Sequence, residues 1–122
     1  MVCIIYFNCS EQCYQWIKAK QHNCHDIASA ILATDNPFQQ MQLGQQIATS
    51  DKWKQNKILL MREILVAKFI NCREYREFLD RSGSRLLIEN THHPFWGKGR
   101  NSDGSNNLGV LHCDIRSKLQ GL

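Results

Sequence analysis

No apolar run in these 122 residues approaches the roughly 20 needed to span a bilayer, which argues against a membrane-crossing helix. The opening MVCIIYF has no basic segment, too short an apolar core and no cleavage site, so no secretory signal is expected. Gly-x-Ser-x-Gly is absent, and His92, His93 and His112 have no evident serine partner, which leaves a serine hydrolase thinly supported. GKGRNSDG lacks the spacing of a P-loop. No internal repeat or linker interrupts the chain, and its length suits one domain with one core. Charge of one sign is not extreme either. Fifteen Lys and Arg face eleven Asp and Glu, for a formal net charge of +4. A mildly basic surface suits phosphate-bearing ligands and falls short of a dedicated nucleic-acid binder.

Six cysteines are present: Cys3, Cys9, Cys13, Cys24, Cys72 and Cys113. An even count would permit a disulfide framework in a secreted miniprotein. With no signal peptide, and with two of the six in apolar helical contexts, reduced thiols in a cytoplasmic or nuclear protein are expected instead. Cys9-x3-Cys13 and His22-x-Cys24-His25 match no common structural-zinc spacing, so neither a metal nor a cofactor is expected.

What the chain has in quantity is helical periodicity. Met1 to Phe7 is a short β-branched and aromatic run that reads as a strand. With Ser10 as cap, the spacing of Cys13, Tyr14, Trp16, Ile17 and Ala19 predicts a helix from Glu11 to about Gln21. His25 to Ala33 reads as a second, weaker helix. Asn36-Pro37-Phe38-Gln39 places Asn at a cap, Pro at the first helical position and Gln at the third, opening a helix through Ile47. Asp51 to Asn71 is the longest periodic segment, with an apolar stripe of Trp53, Ile58, Met61, Leu65 and Phe69. Arg73 to Arg81 follows and Gly83 stops it. RLLIE, Arg85 to Glu89, reads as a short strand; Asn90 to Asn107 is a long Gly-, Asn- and Ser-rich loop; Leu108 to Leu119 closes the chain as a helix. The expected fold class is α+β: a mainly helical single domain over residues 1–122 with a small β-sheet. Its one long loop is the natural place for function.

Glu11, Tyr14, Gln15 and Lys18 stand at i, i+3, i+4 and i+7 and share one helical face. Glu11 lies in the first turn, where the helix dipole favours a carboxylate. Lys18 is a candidate amine nucleophile if burial or a neighbouring cation lowers its pKa. The plain alternative is a solvated face with a helical salt bridge. The loop ENTHHPFWGKGRNSDGSNNLG gathers two histidines, a tryptophan, glycines and two basic residues. Glycines permit close approach of backbone amides to phosphate, Lys98 and Arg100 add charge, and an exposed Trp96 offers a stacking surface. A mobile surface loop has the same composition.

Taken in order, several segments resemble the NADAR family, also called YbiA-like N-glycosidases. SEQCYQWIKA is similar to the family's S-E-x-x-[YF]-Q-x-x-K, QLGQQI to its small-residue helix, and Trp53 through LLMREILVAKF to W-x7-M-x3-L-x-A-K-F. LLIE, FWGKG and Asn106-x-Leu-Gly, before a final helix with Arg116, continue the series to the end of the chain. The resemblance implies a YbiA-like α+β fold and hydrolysis of a bond between ribose C1 and an exocyclic amine. The implied substrate is ADP-ribose on guanine, in DNA or nucleotide; riboflavin-pathway intermediates, or a non-catalytic ADP-ribose-binding module, are the alternatives. An ADP-ribose-containing substrate and ADP-ribosylated DNA are therefore the expected partners, and no membrane.

By the same resemblance Lys18 is the nucleophile that forms a Schiff base, Glu11 carries protons, and Glu89 orients ribose hydroxyls or shares the acid–base work. The roles of Lys18 and Lys68 exchange if Lys68 is the buried amine, and a direct route has Glu11 activate water. Tyr14 and Trp96 would contact the base or ring. Lys68, Lys98, Arg100, Asn106 and the amides of Gly97 and Gly99 would hold phosphate. Two departures stand out: the family's N-terminal segment with its S-N-F motif does not precede the first strand, so the sheet and one pocket wall are expected to be reduced. His93 also occupies a position that is aspartate in many members, where it could still move a proton.

Overall fold

Six helices form among residues 5–119, the part of the chain that the computed structural model describes: α1 (Ser10–Gln21), α2 (His25–Ala33), α3 (Pro37–Gln45), α4 (Asp51–Asn71), α5 (Arg73–Ser82) and α6 (Asn107–Leu119). They divide into two units, one ending at Leu60 and one beginning at Met61, with α4 contributing residues to both. The boundaries follow local chemistry. Asn36 caps α3, its Oδ1 accepting the N–H groups of Phe38 and Gln39 at 2.9 and 3.1 Å. Ser50 Oγ accepts the N–H of Trp53 at the start of α4. Gly83, with φ 62°, ends α5 in a conformation that a side chain would strain. At α1 the flanking residue is Cys9, extended and without a side-chain cap, one position before the Ser10 expected from sequence.

No strand forms among the described residues, so the expected α+β class with a small sheet is corrected to an all-helical one. Residues 1–4 of the first expected strand lie outside the described residues, and residues 5–7 are irregular. Residues 85–89 also have no strand partner; side chains meet their backbone groups instead. Asn106 Oδ1 accepts the N–H of Glu89 at 2.9 Å, and Asn106 Nδ2 donates to the Leu87 carbonyl at 3.0 Å. The N–H of Leu87 meets Cys113 Sγ at 3.4 Å. One amide thus offers the acceptor and donor that a neighbouring strand would offer, but for two residues only. Gly109 makes the approach feasible, since a Cβ there would stand 2.2 Å from the Leu87 carbonyl.

In the first unit α1 packs on α2 and α3, and these two on each other. Ala19, Ala28, Ile31 and Ile47 form the core, bordered by Trp16, Cys24, Ile27 and Leu43. Gln12, Gln15 and Gln40 are buried in the same unit. Gln12, 1% exposed, donates to the carbonyls of Ile31 and Thr34 and accepts the N–H of Asn8. Gln40, fully buried, donates to the same Thr34 carbonyl at 2.8 Å and accepts from Cys9 Sγ. The C-terminal carbonyls of α2, orphaned by the helix geometry, are met by amides from α1 and α3.

In the second unit Met61, Ile64, Leu65 and Phe69 of α4, Tyr75 and Leu79 of α5, and Leu111 and Ile115 of α6 are buried; in the part of α4 that belongs to the first unit, Ile58, expected in the stripe, is exposed. Arg116, also buried, donates to Ser82 Oγ at 2.8 Å, which in turn donates to the Leu79 carbonyl at the end of α5. Arg76 closes α4 in the same way through the carbonyls of Phe69 and Ile70. The five described cysteines are free thiols, and no described helix is long and apolar enough to cross a membrane.

Replacing Gln12 by Leu removes the amide that joins α1 to the end of α2 while keeping an apolar side chain of similar size. A loss of about 1–3 kcal/mol in urea-measured stability is expected, the cost of leaving buried carbonyls unmet. An unchanged denaturation midpoint would show that the amide does not hold this unit.

Candidate active site

The first unit contains Glu11, Tyr14 and Lys18 on one face of α1. Tyr14 is buried and fixed against Trp53, ring centroids 5.4 Å apart. Gln15, also buried, donates to Glu11 Oε1 at 2.9 Å and so holds the carboxylate in place. Its Oε1 is buried, finds no hydrogen-bond partner among the described residues and lies where a side chain on Gly44 would stand, 1.7 Å from such a Cβ. Lys18 is half-buried and its Nζ donates to the Gly44 carbonyl at 3.0 Å. Its pKa is lowered, first by burial and then by the charge of Lys57, with Glu11 opposing. Lys57 is itself lowered by burial and by Lys54. His22 steadies the end of α1: its ring bonds the Lys18 carbonyl at 2.7 Å through Nδ1 and accepts the Ser50 N–H through Nε2. That arrangement places the ring proton on Nδ1.

The second unit contains Lys68, Glu89 and the loop. A cavity of about 420 Å³ is lined by Lys68 of α4, Tyr75 and Phe78 of α5, Leu87 and Glu89 of the irregular segment, and His112 of α6. Tyr75 Oη lies 2.6 Å from His112 Nδ1, and His112 Nε2 lies 3.8 Å from Glu89 Oε2. The second separation exceeds a tight hydrogen bond, so the ring acts on the carboxylate at the range of an ion pair or a loose N–H contact. Glu89 is held below the ordinary carboxylate range, first by the His112 N–H, against the opposing effect of burial, and further by the charges of His112 and Lys68. Lys68 Nζ sits 5.0 Å from the Tyr75 ring centroid.

The loop folds back on itself. The N–H groups of Gly97, Lys98 and Gly99 donate to the carbonyls of His93, Glu89 and Thr91, and the N–H of Asn106 to that of Gly97. His93 Nδ1 accepts the N–H groups of Phe95 and Trp96 at 3.2 and 3.3 Å, a task a carboxylate oxygen could also perform. Trp96 is 8% exposed and packs edge-on to Phe95, where the sequence suggested an exposed ring. Lys98 is partly exposed and Arg100 exposed. Asn106, at φ 52°, spends its amide on the backbone of Leu87 and Glu89.

The NADAR domain profile matches residues 2–120. The chain belongs to the NADAR family. Among the relatives of this NADAR chain is an N-glycosidase, Npun_R5314, from Nostoc punctiforme, 37% identical over 71 residues, covering 57% of this chain and 46% of that protein. N-glycosidase YbiA of Shigella boydii is 37% identical over 68 residues, covering 55% and 42%. The chloroplastic riboflavin biosynthesis protein PYRR of Zea mays is 25% identical over 118 residues, 90% of this chain and 19% of that one. The chain therefore spans less than half the length of each of these three. No solved structure matches it.

The sequence-expected residues of this NADAR chain thus fall into a lysine–carboxylate face in one unit and a carboxylate–lysine cavity with its loop in the other. Three groups beside them went unrecognised. Lys57 gives a signal only as the residue one turn after Trp53. Tyr75 and His112 lie 37 positions apart in sequence, and nothing local pairs them.

Asn106→Ala should release the backbone at Leu87 and Glu89. The expected outcome is faster hydrogen exchange at the Glu89 amide and a loss of about 1–3 kcal/mol in stability. Unchanged exchange at that amide would show that the side chain does not hold the segment.

Proposed function

We propose that this chain is a hydrolase of the N-glycosidase type, cleaving the bond between ribose C1 and an exocyclic amine through Lys18. The observation that carries the reading is the environment of that amine. Burial and the neighbouring Lys57 disfavour its charged form, while Glu11, held by Gln15, stands on the same helical face. A neutral amine can donate one N–H to the Gly44 carbonyl and still offer its lone pair. That two relatives carry the name N-glycosidase supports the same class.

The proposed sequence balances with one water consumed. A proton reaches the ribose ring oxygen as the C1–O bond opens, leaving an iminium between C1 and the exocyclic nitrogen. Lys18 Nζ adds to C1; the C1–N bond to the base then breaks as that nitrogen takes a proton, leaving a Schiff base on Lys18. Water adds to C1 and the lysine departs, freeing the ribose aldehyde. Glu11 accepts and returns the protons at ring opening and at water attack.

ADP-ribose attached to guanine, in DNA or nucleotide, is the favoured substrate, because the net positive charge and the basic residues Lys98 and Arg100 suit a diphosphate. The second reading, a riboflavin-pathway intermediate, is favoured by the similarity to the Zea mays protein. Product analysis with each substrate separates them.

Two outcomes test the lysine. Borohydride added during turnover should fix ribose to Lys18, and Lys18→Ala should give neither adduct nor base release; full activity without any adduct would transfer the reaction to a water activated by Glu11. The pH dependence has a definite sign. Lowering of the Lys18 pKa means that its neutral form, and hence kcat, rises with pH along a limb below the ordinary lysine range. Lys57→Ala removes part of that lowering, so the limb should move to higher pH and the rate at pH 7 should fall.

A further inference from the structure

We infer that His112, fixed by Tyr75, is a positioning residue that keeps Glu89 an aimed anion in the cavity of the second unit. The inference rests on the N-glycosidase reading and on the role in orienting ribose hydroxyls or sharing acid–base work that the family resemblance implies for Glu89. Its basis is a directed chain of three side chains from three different segments: Tyr75 on α5, His112 on α6 and Glu89 in the irregular stretch between them. Tyr75 is buried, and burial raises its pKa, so its hydroxyl remains an O–H donor. At 2.6 Å from Nδ1 that donor assigns the proton of the neutral imidazole to Nε2, the nitrogen nearest Glu89. The ring is held in place by the same contact, its centroid 5.5 Å from that of Tyr75 in an edge-on arrangement.

The surroundings show why such a device matters. Phe78, Leu87 and Ile88 contribute apolar wall, which by itself would drive a carboxylate toward its protonated form. A protonated Glu89 could not act as a base and would lose the charge that strengthens its hydrogen bonds to ligand hydroxyls. The other ionisable groups on this cavity are Lys68 from α4, Cys72 between α4 and α5, and Glu74 from α5; Cys113 of α6 meets the backbone of Leu87. Lys68 works with His112 in holding Glu89 ionised. The Glu89 backbone is tied on both sides, its N–H to Asn106 and its carbonyl to the N–H groups of Thr91 and Lys98. With the main chain fixed, the imidazole sets the direction of the carboxylate and, with Lys68, its charge. An interhelical Tyr–His bond serving packing alone would not need the second ring nitrogen close to a carboxylate on a cavity wall.

The test follows Glu89 itself, by carbon-detected NMR titration of protein labelled at glutamate carboxyls, beside the kinetics with ADP-ribosylated guanosine. In His112→Leu the Glu89 carboxyl should titrate at higher pH than in the wild type, and in Tyr75→Phe in the same direction by less. His112→Gln, whose amide restores an N–H near the position of Nε2, should return toward the wild-type titration. The acid limb of kcat should move with the carboxyl, and kcat at pH 6 should fall by up to roughly 10²-fold, the lower end of what an acid–base group contributes, with KM little changed. A Glu89 titration unmoved in a His112→Leu protein with a native amide spectrum overturns the inference. If that variant does not fold, Tyr75→Phe carries the same test with its ring packing kept, and an unmoved titration there is equally decisive. A titration that moves in a protein without glycosidase turnover leaves the positioning intact and removes the proposed function; turnover with an unmoved titration does the reverse.

Discussion

A buried peptide carbonyl or N–H left without a partner costs about 1–3 kcal/mol, and with no sheet among the described residues those partners must be found wherever the helices stop. Side-chain amides meet part of that demand here, beside Ser50, Arg76 and Ser82. Gln12 and Gln40 converge on the end of α2, Asn36 opens α3, and Asn106 replaces a strand partner for residues 85–89. Each amide has both a donor and an acceptor end, so one residue can tie two backbone segments. Gln15 uses the same property differently. Its donor end restrains Glu11, and its acceptor end is packed over the small residue Gly44. The polar residues that hold the helices together are thus neighbours of those that carry charge in the proposed chemistry.

Helices were legible from the sequence because their signals are local. Asn36 and Pro37, Gly83, and the spacing of Trp53, Met61, Leu65 and Phe69 each act within one or two turns, and the observed ends lie within two residues of those expected. The strand at residues 85–89 was misread for the complementary reason. RLLIE has the composition of a strand, but a strand exists only through its partner, and the partner here is a side chain 17 residues away. Trp96 was misjudged similarly: its loop composition suggested exposure, whereas the loop's own hydrogen bonds fold Phe95 and His93 around it.

Motif order identified the family because the motifs follow one another along the chain, and such collinearity needs no knowledge of packing. It could not reveal the partners that tune the ionisable groups. Lys57 and His112 act through space on residues 39 and 23 positions distant. Desolvation, the first cause at Lys18, is likewise a property of the assembled unit; no residue type reports it in advance.

Lys18 and Glu89, each within its own unit, are shifted in directions that suit the proposed chemistry. A Schiff-base route needs an amine that is neutral near neutral pH, which requires lowering the pKa of a lysine; burial and a second cation do that at Lys18. It also needs carboxylates that remain ionised while enclosed by apolar wall, which requires a nearby donor or cation; His112 and Lys68 provide that at Glu89. Burial alone would help the first group and harm the second, because it always favours the uncharged form. The unit that holds Glu89 supplies a compensating donor and cation to the carboxylate, whereas in the other unit burial and Lys57 outweigh Glu11 at Lys18. In the second unit the Tyr75–His112 pair supplies the first of these compensations, ahead of Lys68, against the burial that by itself favours the protonated carboxyl of Glu89.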